Sequence, residues 1–312
     1  MPAPDSHIAR RERRRAQLRR RRLTAAAALP LVVLLAVVAF QATSGGVATR
    51  RTGERPSGRG GSQRTGGVAR AAATPGSRNR AESRAVRRLA QFGLPVYCAG
   101  PRGDAVAFTF DDGPGPYTHY ALEKLSQAHE RATFFAVGRS IDNFPGYLVR
   151  ELRVAVIGDH TYTHPLLTGL PPATAESEIA RTARKIEAQT GQPVELFRPP
   201  YGARNTGIDA IVRRLGLLEI IWNVDSADSL GADYAGITRN VEAGLHPGSI
   251  ILMHENRGQT IRALTTLLPE LRRRHLRSVS LPQLLSADPP SLAQLKAGPG
   301  GCGGSALHGG GG

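Results

Sequence analysis

The amino-acid sequence predicts an α/β fold, either a parallel sheet or a (β/α) barrel, for the chain between residues 95 and 287. Short apolar segments of strand length alternate there with segments whose apolar residues recur every three or four positions. Such an alternation of strands and helices is typical of a parallel sheet with helices packed against it. In these folds the chemistry lies at the carboxyl ends of the strands, so candidate functional residues are expected there.

The candidate strands are short apolar segments: Ala105–Phe110, Ala132–Val137, Val154–Ile157, Leu196–Arg198, Glu219–Val224, Ser249–His254 and Leu276–Val279. Segments of helical pattern lie between them: Tyr117–Ala128, Ala175–Gln189, Ile208–Leu215, Ala235–Leu245 and Thr260–His275. The last segment shows the helical pattern most clearly, because leucine recurs from Leu264 to Leu271 at spacings of three, one and three.

The N-terminal segments have a different composition. Residues 1–22 are rich in arginine, and the apolar run that follows, Leu23 to Phe40, carries no charge. At ~1.5 Å per residue a helix of this length spans about 27 Å, close to the thickness of the membrane hydrocarbon. The arginines before it predict that the N-terminus stays in the cytoplasm and that the rest is exported. We therefore predict a transmembrane signal anchor at residues 23–42, with a cleaved signal peptide as the alternative.

The charge and composition of the chain divide it further. Residues 43–94 are predicted to be a disordered basic linker and residues 288–312 a disordered Gly-rich tail, because neither has apolar periodicity. The formal net charge is +16, but residues 95–312 contain 21 basic and 21 acidic residues. A basic arm could bind nucleic acid or an anionic surface. Because the folded domain is neutral, no nucleic-acid partner is expected.

The two cysteines, Cys98 and Cys302, lie near the two ends of the folded region and lack the spacing of a zinc-binding motif. Two free thiols are the preferred interpretation. A disulfide that joins the two ends is the alternative, which export from the cytoplasm would permit.

Candidate ligands for a metal ion follow two of the predicted strands. Asp111 and Asp112 are adjacent carboxylates at the end of the first strand, where a nearby positive charge would relieve their repulsion. His160 and His164, after the third strand, are spaced so that one turn places both imidazoles on one side. Together with Asp112 they make a set of two histidines and one carboxylate, which leaves open positions on a catalytic metal such as zinc.

Five motifs in order resemble those of the polysaccharide deacetylase (NodB-like) family over about residues 95–285. They are TFDDGP (109–114), HTYTHP (160–165), FRPPYG (197–202), WNVDSAD (222–228) and LMH (252–254). The resemblance implies a distorted (β/α) barrel with the metal site at the carboxyl ends of the strands. It also implies an enzyme that removes N-acetyl groups from amino-sugar polymers, such as peptidoglycan or a chitin-like oligosaccharide.

The same resemblance implies the roles of individual residues. Asp112, His160 and His164 would bind a divalent metal, most often zinc in this family. The catalytic set would be Asp111 as general base, Arg198 as its partner, His254 as general acid, and Asp228 (or Asp225) as the partner of His254. The substrate-binding set would be the backbone N–H of Tyr201, the neighbouring Pro199, and an apolar pocket for the acetyl methyl group formed by Trp222 and Leu252.

Two positions depart from the family pattern. Ser229 stands where an aromatic residue usually follows the fourth motif, and Asp159 stands where asparagine usually precedes the first histidine. Asp159 is expected to add negative charge beside a metal ligand, and Ser229 puts one wall of the sugar groove in doubt. Two alternatives stay open: a non-catalytic protein that binds cell-wall glycan, which the altered fourth motif supports, and an O-acetyl esterase of a polysaccharide such as xylan, which would use the same site chemistry. An extracytoplasmic location is expected for each.

Overall fold

The computed structural model describes residues 75–303, with side chains from residue 79 onward. Its helices are α1 (Pro75–Ala90), α2 (Thr118–Ala128), α3 (Gly138–Asn143), α4 (Tyr147–Glu151), α5 (Pro172–Thr190), α6 (Thr206–Arg214), α7 (Tyr234–Gly244), α8 (Gly258–Arg273), α9 (Leu281–Ala287) and α10 (Leu292–Ala297). Its strands are β1 (Ala105–Gly113), β2 (Ala132–Ala136), β3 (Ala155–Asp159), β4 (Leu196–Phe197), β5 (Leu218–Glu219), β6 (Val224–Asp225), β7 (Ile250–His254) and β8 (Arg277–Ser278).

The strands form one parallel sheet in the order β5-β4-β3-β2-β1-β7-β6, and β8 pairs with the beginning of β1. Strand β1 is central and is buried along almost its whole length, since helices cover the curled sheet. Burial on both faces explains why its sequence is a continuous apolar run rather than an alternating one. The predicted α/β fold class, a distorted (β/α) barrel, is confirmed.

Helix α8 contributes much of the core on one side of the sheet. Its leucines at the predicted spacing, including Leu264, Leu267 and Leu271, are completely buried. They belong to the same apolar cluster as Phe110 and Phe134, whose rings stack with their centroids 4.9 Å apart. Each fully buried leucine stabilises the fold by about 1.5–3 kcal/mol, so this helix holds the central strands in place.

One predicted strand is divided in the structure. The segment Glu219–Val224 does not form a single strand, because β5 pairs with β4 at one end of the sheet while β6 pairs with β7 at the other. Between them, Ile220 forms an isolated bridge with Val96. Because only four residues separate β5 from β6, the sheet must curl so that its two edge strands lie close together, and Ile220, Ile221 and Val224 are buried there.

The predicted linker and tail both contain regular structure that the sequence did not indicate. Residues 75–90, placed in the linker, form helix α1, which buries Val86 and Leu89 against α9. Residues 292–297, placed in the tail, form α10, which buries Leu295 and begins with a capping box at Ser291. Each helix buries only a few apolar residues, which explains why neither showed periodicity.

A disulfide joins Cys98 to Cys302, with the two Cα atoms 5.9 Å apart and a sequence separation of 204. The preferred interpretation of two free thiols is therefore wrong. Helix α10 and the short turn Gly298–Gly301 bring the chain back to the beginning of the folded region. This return depends on tertiary packing, which the spacing of two cysteines does not predict.

Among residues 75–303, no helix is long and apolar enough to cross a membrane. The predicted cytoplasmic segment 1–22 and the predicted signal anchor 23–42 lie outside the described residues, as do residues 43–74 of the predicted linker and residues 304–312 of the tail.

Candidate functional site

The carboxyl ends of β1, β3 and β7 meet at one edge of the sheet and carry the motif residues. Asp111 on β1 is the direct neighbour of His254 on β7 in the strand register. Asp159 ends β3 beside Phe197 of β4, so that His160 follows at the same edge. The carboxyl ends of neighbouring parallel strands lie at the same edge of the sheet. This geometry places Asp111 beside His254, although the two residues are more than a hundred positions apart in sequence.

Asp112, His160 and His164 form a group whose potential ligand atoms all lie within 4.8 Å of one another. The Nε2 atoms of His160 and His164 are 3.7 and 3.3 Å from Oδ1 of Asp112. That oxygen is buried and has no hydrogen-bond partner among the described residues. Two imidazole nitrogens and an otherwise unpaired buried carboxylate oxygen fit a bound divalent metal ion, as the sequence predicted.

The orientation of His160 also suits a metal ligand. Its Nδ1 lies 2.7 Å from the carbonyl oxygen of Arg198. A carbonyl oxygen only accepts, so Nδ1 carries the proton, and the lone pair of Nε2 faces Asp112. Burial lowers the pKa of His160 to about 3, although the negative charge of Asp112 acts to raise it. The ring is therefore neutral, which is the form that binds metals.

Arg198 is completely buried and holds Asp111 in place. Its Nη1 donates to Oδ1 of Asp111 at 2.8 Å and to Oγ1 of Thr109 at 2.7 Å. Its remaining nitrogens donate to the carbonyl oxygens of Ile220 and Ile221. Burial raises the pKa of Asp111 although the neighbouring guanidinium opposes the rise. Arg198 binds Oδ1 of Asp111 and holds the carboxylate in place. The other oxygen, Oδ2, does not bind Arg198 and is available to accept a proton.

His254 forms a pair with Asp228, and Asp225 is not part of that pair. The Nδ1 atom of His254 is 2.6 Å from Oδ1 of Asp228, whose Oδ2 accepts from the backbone N–H of His254 at 2.8 Å and from Oγ1 of Thr260 at 2.5 Å. Burial alone would lower the pKa of His254. The hydrogen bond to Asp228 and the charges of Asp228 and Asp111 outweigh it and raise the pKa to about 9. His254 is therefore an imidazolium at neutral pH.

Comparison with known proteins places this arrangement in a family. The sequence profile of the polysaccharide deacetylase family matches residues 99–220. A peptidoglycan-N-acetylglucosamine deacetylase of Bacillus cereus is 34% identical over 193 residues, which are 60% of this chain and 70% of that relative. This chain belongs to the polysaccharide deacetylase family. A chitooligosaccharide deacetylase of Bradyrhizobium is also 34% identical, over 58% of this chain and 90% of that protein.

Solved structures agree with the family assignment. A family 4 carbohydrate esterase (CE4) pseudoenzyme from Bacillus anthracis has the same fold, with a TM-score of 0.59 and 29% identity, over 62% of this chain and 69% of that one. The predictions of the family and of the enzyme class, polysaccharide deacetylase, are confirmed. The family is metal-dependent, in agreement with the ligand group of Asp112.

The residues expected to bind substrate in this polysaccharide deacetylase lie beside the ligand group. Tyr201 is 68% exposed, and its ring centroid is 4.8 Å from that of His164. It has a positive φ of 62° in the turn that follows Pro199. Trp222 is half-buried beneath this turn, close to Gly202, where a Cβ atom would lie 2.9 Å from the indole. Leu252 is buried on β7 two residues before His254, so both side chains point to the same face.

The two departures from the family pattern have different surroundings. Asp159 is completely buried, and its Oδ1 accepts the N–H of Thr161 at 2.7 Å. Burial raises the pKa of Asp159 well above its usual value, which opposes the expectation that this residue adds negative charge beside His160. Ser229 is exposed, and the following Leu230 is 79% exposed. An apolar side chain is therefore available one position after the missing aromatic residue.

Sequence reasoning missed other polar residues of the site. Thr260 binds Asp228, and Asn256 donates to Oδ2 of Asp112 at 3.3 Å. Glu255 is completely buried, and its Oε1 occupies the space where a Cβ atom on Gly113 would lie. The last two directly follow the fifth motif, so their position in sequence was an available signal. Thr260 is recognised only once α8 is docked against β7.

Proposed function

We propose that this chain is a metal-dependent N-deacetylase of amino-sugar polymers. The observation that carries the proposal is the meeting, at one sheet edge, of three groups with complementary chemistry. These groups are the ligand set of Asp112, the Asp111–Arg198 pair and the His254–Asp228 pair. Amide hydrolysis needs all three functions, since it requires an electrophilic centre, a base for the attacking water and an acid for the departing amine.

Asp112, His160 and His164 would bind the metal, and zinc suits their two nitrogens and one oxygen best. When bound, a zinc ion would polarise the acetyl carbonyl group and make a coordinated water more acidic. The geometry supports a site of this kind because both Nε2 atoms face the same carboxylate oxygen.

Asp111 would take the proton from the attacking water. Its Oδ2 is 3.7 Å from Nε2 of His160, which brings the free carboxylate oxygen close to the ligand atoms. Arg198 would act as a positioning residue for Asp111. Its guanidinium donates to four acceptors, which hold it in one orientation.

His254 would donate the proton that the leaving amine needs. Its Nδ1 is bonded to Asp228, so the proton on Nε2 is free to be transferred. Asp228 would keep His254 protonated and correctly oriented. The backbone N–H of Tyr201 would stabilise negative charge as it develops on the acetyl oxygen.

The substrate class follows from the relatives named above, which act on peptidoglycan and on chitooligosaccharide. We propose an N-acetylated cell-wall or chitin-like glycan, bound across the exposed ring of Tyr201 with the acetyl methyl near Leu252 and Trp222. Such a substrate implies action outside the cytoplasm. Membrane attachment through residues 23–42 and a catalytic domain at residues 95–287 remain part of this proposal.

A non-catalytic function is the second candidate, because one solved neighbour with this fold is a pseudoenzyme. The deciding experiment measures acetate release by the full-length chain, with and without zinc. Chitooligosaccharide, peptidoglycan glycan and acetylated xylan are the substrates. We expect zinc-dependent release from an N-acetylated glycan. Release from xylan alone would assign an O-acetyl esterase. Binding of glycan and zinc without release from any substrate would assign the non-catalytic function.

The matched control uses the same chemical change at Asp111 on β1 and at Asp104, the residue directly before β1. Asp111→Asn should abolish release, whereas Asp104→Asn, which alters an exposed pair with Arg277 at the start of the strand, should leave it unchanged. Equal rates in both variants would contradict the proposed base.

A further inference from the structure

The loop between His160 and His164 is held by a side chain from a distant helix. Oε2 of Glu178, on α5, accepts the backbone N–H of Tyr162 at 3.0 Å and that of Thr163 at 2.7 Å. These two consecutive residues lie midway between the two candidate ligands. Charge-assisted hydrogen bonds of this kind are about twice as strong as neutral ones, so Glu178 is a strong anchor for this loop.

The other N–H groups of the loop are bonded locally. Thr161 donates to Asp159 at 2.7 Å, and the N–H of His164 donates to Oγ1 of Thr161 at 3.1 Å. The carbonyl oxygens of Thr161 and Tyr162 accept from the first residues of α3 at 3.0 and 2.9 Å. Those carbonyl contacts are between backbone atoms. Glu178 is therefore the side chain that accepts the two N–H groups at the centre of the loop, those of Tyr162 and Thr163.

The loop needs such an anchor because its backbone is strained. Thr161 and His164 both have positive φ, at 66° and 60°. A β-branched residue such as threonine rarely adopts this conformation. Such a conformation persists only when the surrounding structure enforces it. Relaxation of either residue would change the position of His164 relative to His160, and the centroids of these two rings are now 4.9 Å apart.

We propose that Glu178 is a positioning residue that sets the separation of the two histidines and thereby the affinity of the site for its metal. The inference rests on the proposed metal site and extends it to a residue that makes no contact with the metal. Loss of partners that orient metal ligands typically weakens metal binding 10–100-fold. Removal of the acceptor leaves the N–H groups of Tyr162 and Thr163 without a protein partner and frees the loop to relax.

The test compares zinc affinities by competition with a chromophoric chelator, using the full-length chain. Glu178→Met, which keeps the size but removes the acceptor, should weaken binding about 10–100-fold. Glu178→Gln should weaken it much less, because one amide oxygen can accept both N–H groups. Glu176→Met is the matched control. It lies on the same helix, where Glu176 pairs with Arg214 at the surface, and should not change the affinity.

Two results would overturn the inference. The first is zinc binding by Glu178→Met that equals that of the unaltered chain. The second is rapid amide exchange at Tyr162 and Thr163 in the unaltered metal-free chain, a measurement that does not depend on the folding of any variant. Absence of zinc binding by the unaltered chain is a distinct result, because it would refute the proposed metal site itself and this inference with it.

Discussion

Replacement of Asp228 by asparagine should remove the acid function of His254 in a pH-dependent way. Asp228 accepts three hydrogen bonds, from the ring and the backbone of His254 and from Thr260. An asparagine side chain has one acceptor oxygen and one NH₂ group. If the oxygen remains on the backbone N–H, the NH₂ group faces Nδ1, and this nitrogen must then be deprotonated to accept.

The magnitude follows from the surroundings of His254. Burial lowers its pKa, and Asp228 makes the largest opposing contribution to the value of about 9, with smaller ones from Asp111 and Asp112. Without the charge of Asp228, we expect a pKa of about 6.5 or below. At pH 8 the protonated fraction would then fall from about 0.9 to about 0.03, a loss of about 30-fold, whereas at pH 5.5 about 0.9 would remain protonated.

The assay measures kcat/KM for acetate release between pH 5 and pH 10, together with an NMR titration of the His254 ring. Because the acid form is required, activity of the unaltered chain should fall as pH rises through about 9. In Asp228→Asn this fall should begin below pH 7. Asp233→Asn, at the N-cap of α7, is the control, since asparagine also caps helices well. A rate loss in Asp228→Asn that is equal at all pH values, with the ring pKa still near 9, would refute this reasoning.

Three further predictions concern the base, the metal ligands and the disulfide. Asp111→Asn should retain zinc, measured by metal analysis, but lose turnover by at least ~10²–10⁴-fold; a near-native rate would exclude Asp111 as the base. His160→Ala should lose both zinc and turnover, while His119→Ala, an exposed histidine, should lose neither. Cys98→Ser should lower the free energy of unfolding by about 2–5 kcal/mol, because the disulfide closes a long loop. An unchanged denaturation midpoint relative to the oxidised chain would contradict that estimate.

Where strand geometry dictates it, the sequence predicted which candidate residues lie together at the sheet edge. Asp111, His160 and His254 each follow an apolar run, and parallel strands bring the ends of such runs to one edge. Helix α8 was predicted for a similar reason, since the spacing of its leucines indicates which face of the helix is buried. In both cases the prediction depends on residues that are close together in sequence, and the fold brings these segments into contact.

The features that the sequence missed depend on packing between distant elements. The partner of His254 was not missed, because the resemblance implied Asp228 rather than Asp225 and Asp228 pairs with the ring in the structure, although only the docking of β6 beside β7 supplies the geometric reason. The role of Glu178 depends in the same way on how α5 lies against the loop after β3. Helix α1 was missed because its larger apolar residues, Val86 and Leu89, are confined to its last turn on either side of two arginines, and their burial requires α9.

The charges at the sheet edge favour catalysis over a purely structural role. Four carboxylates, those of Asp111, Asp112, Asp225 and Asp228, interact there with two cationic groups, Arg198 and His254. Buried ion pairs contribute little to stability, and apolar side chains of similar volume are often as stable. The stability of the fold therefore does not explain why these charged groups are buried together. Amide hydrolysis does explain it, because the reaction requires a base, a charged acid and a metal site at one edge.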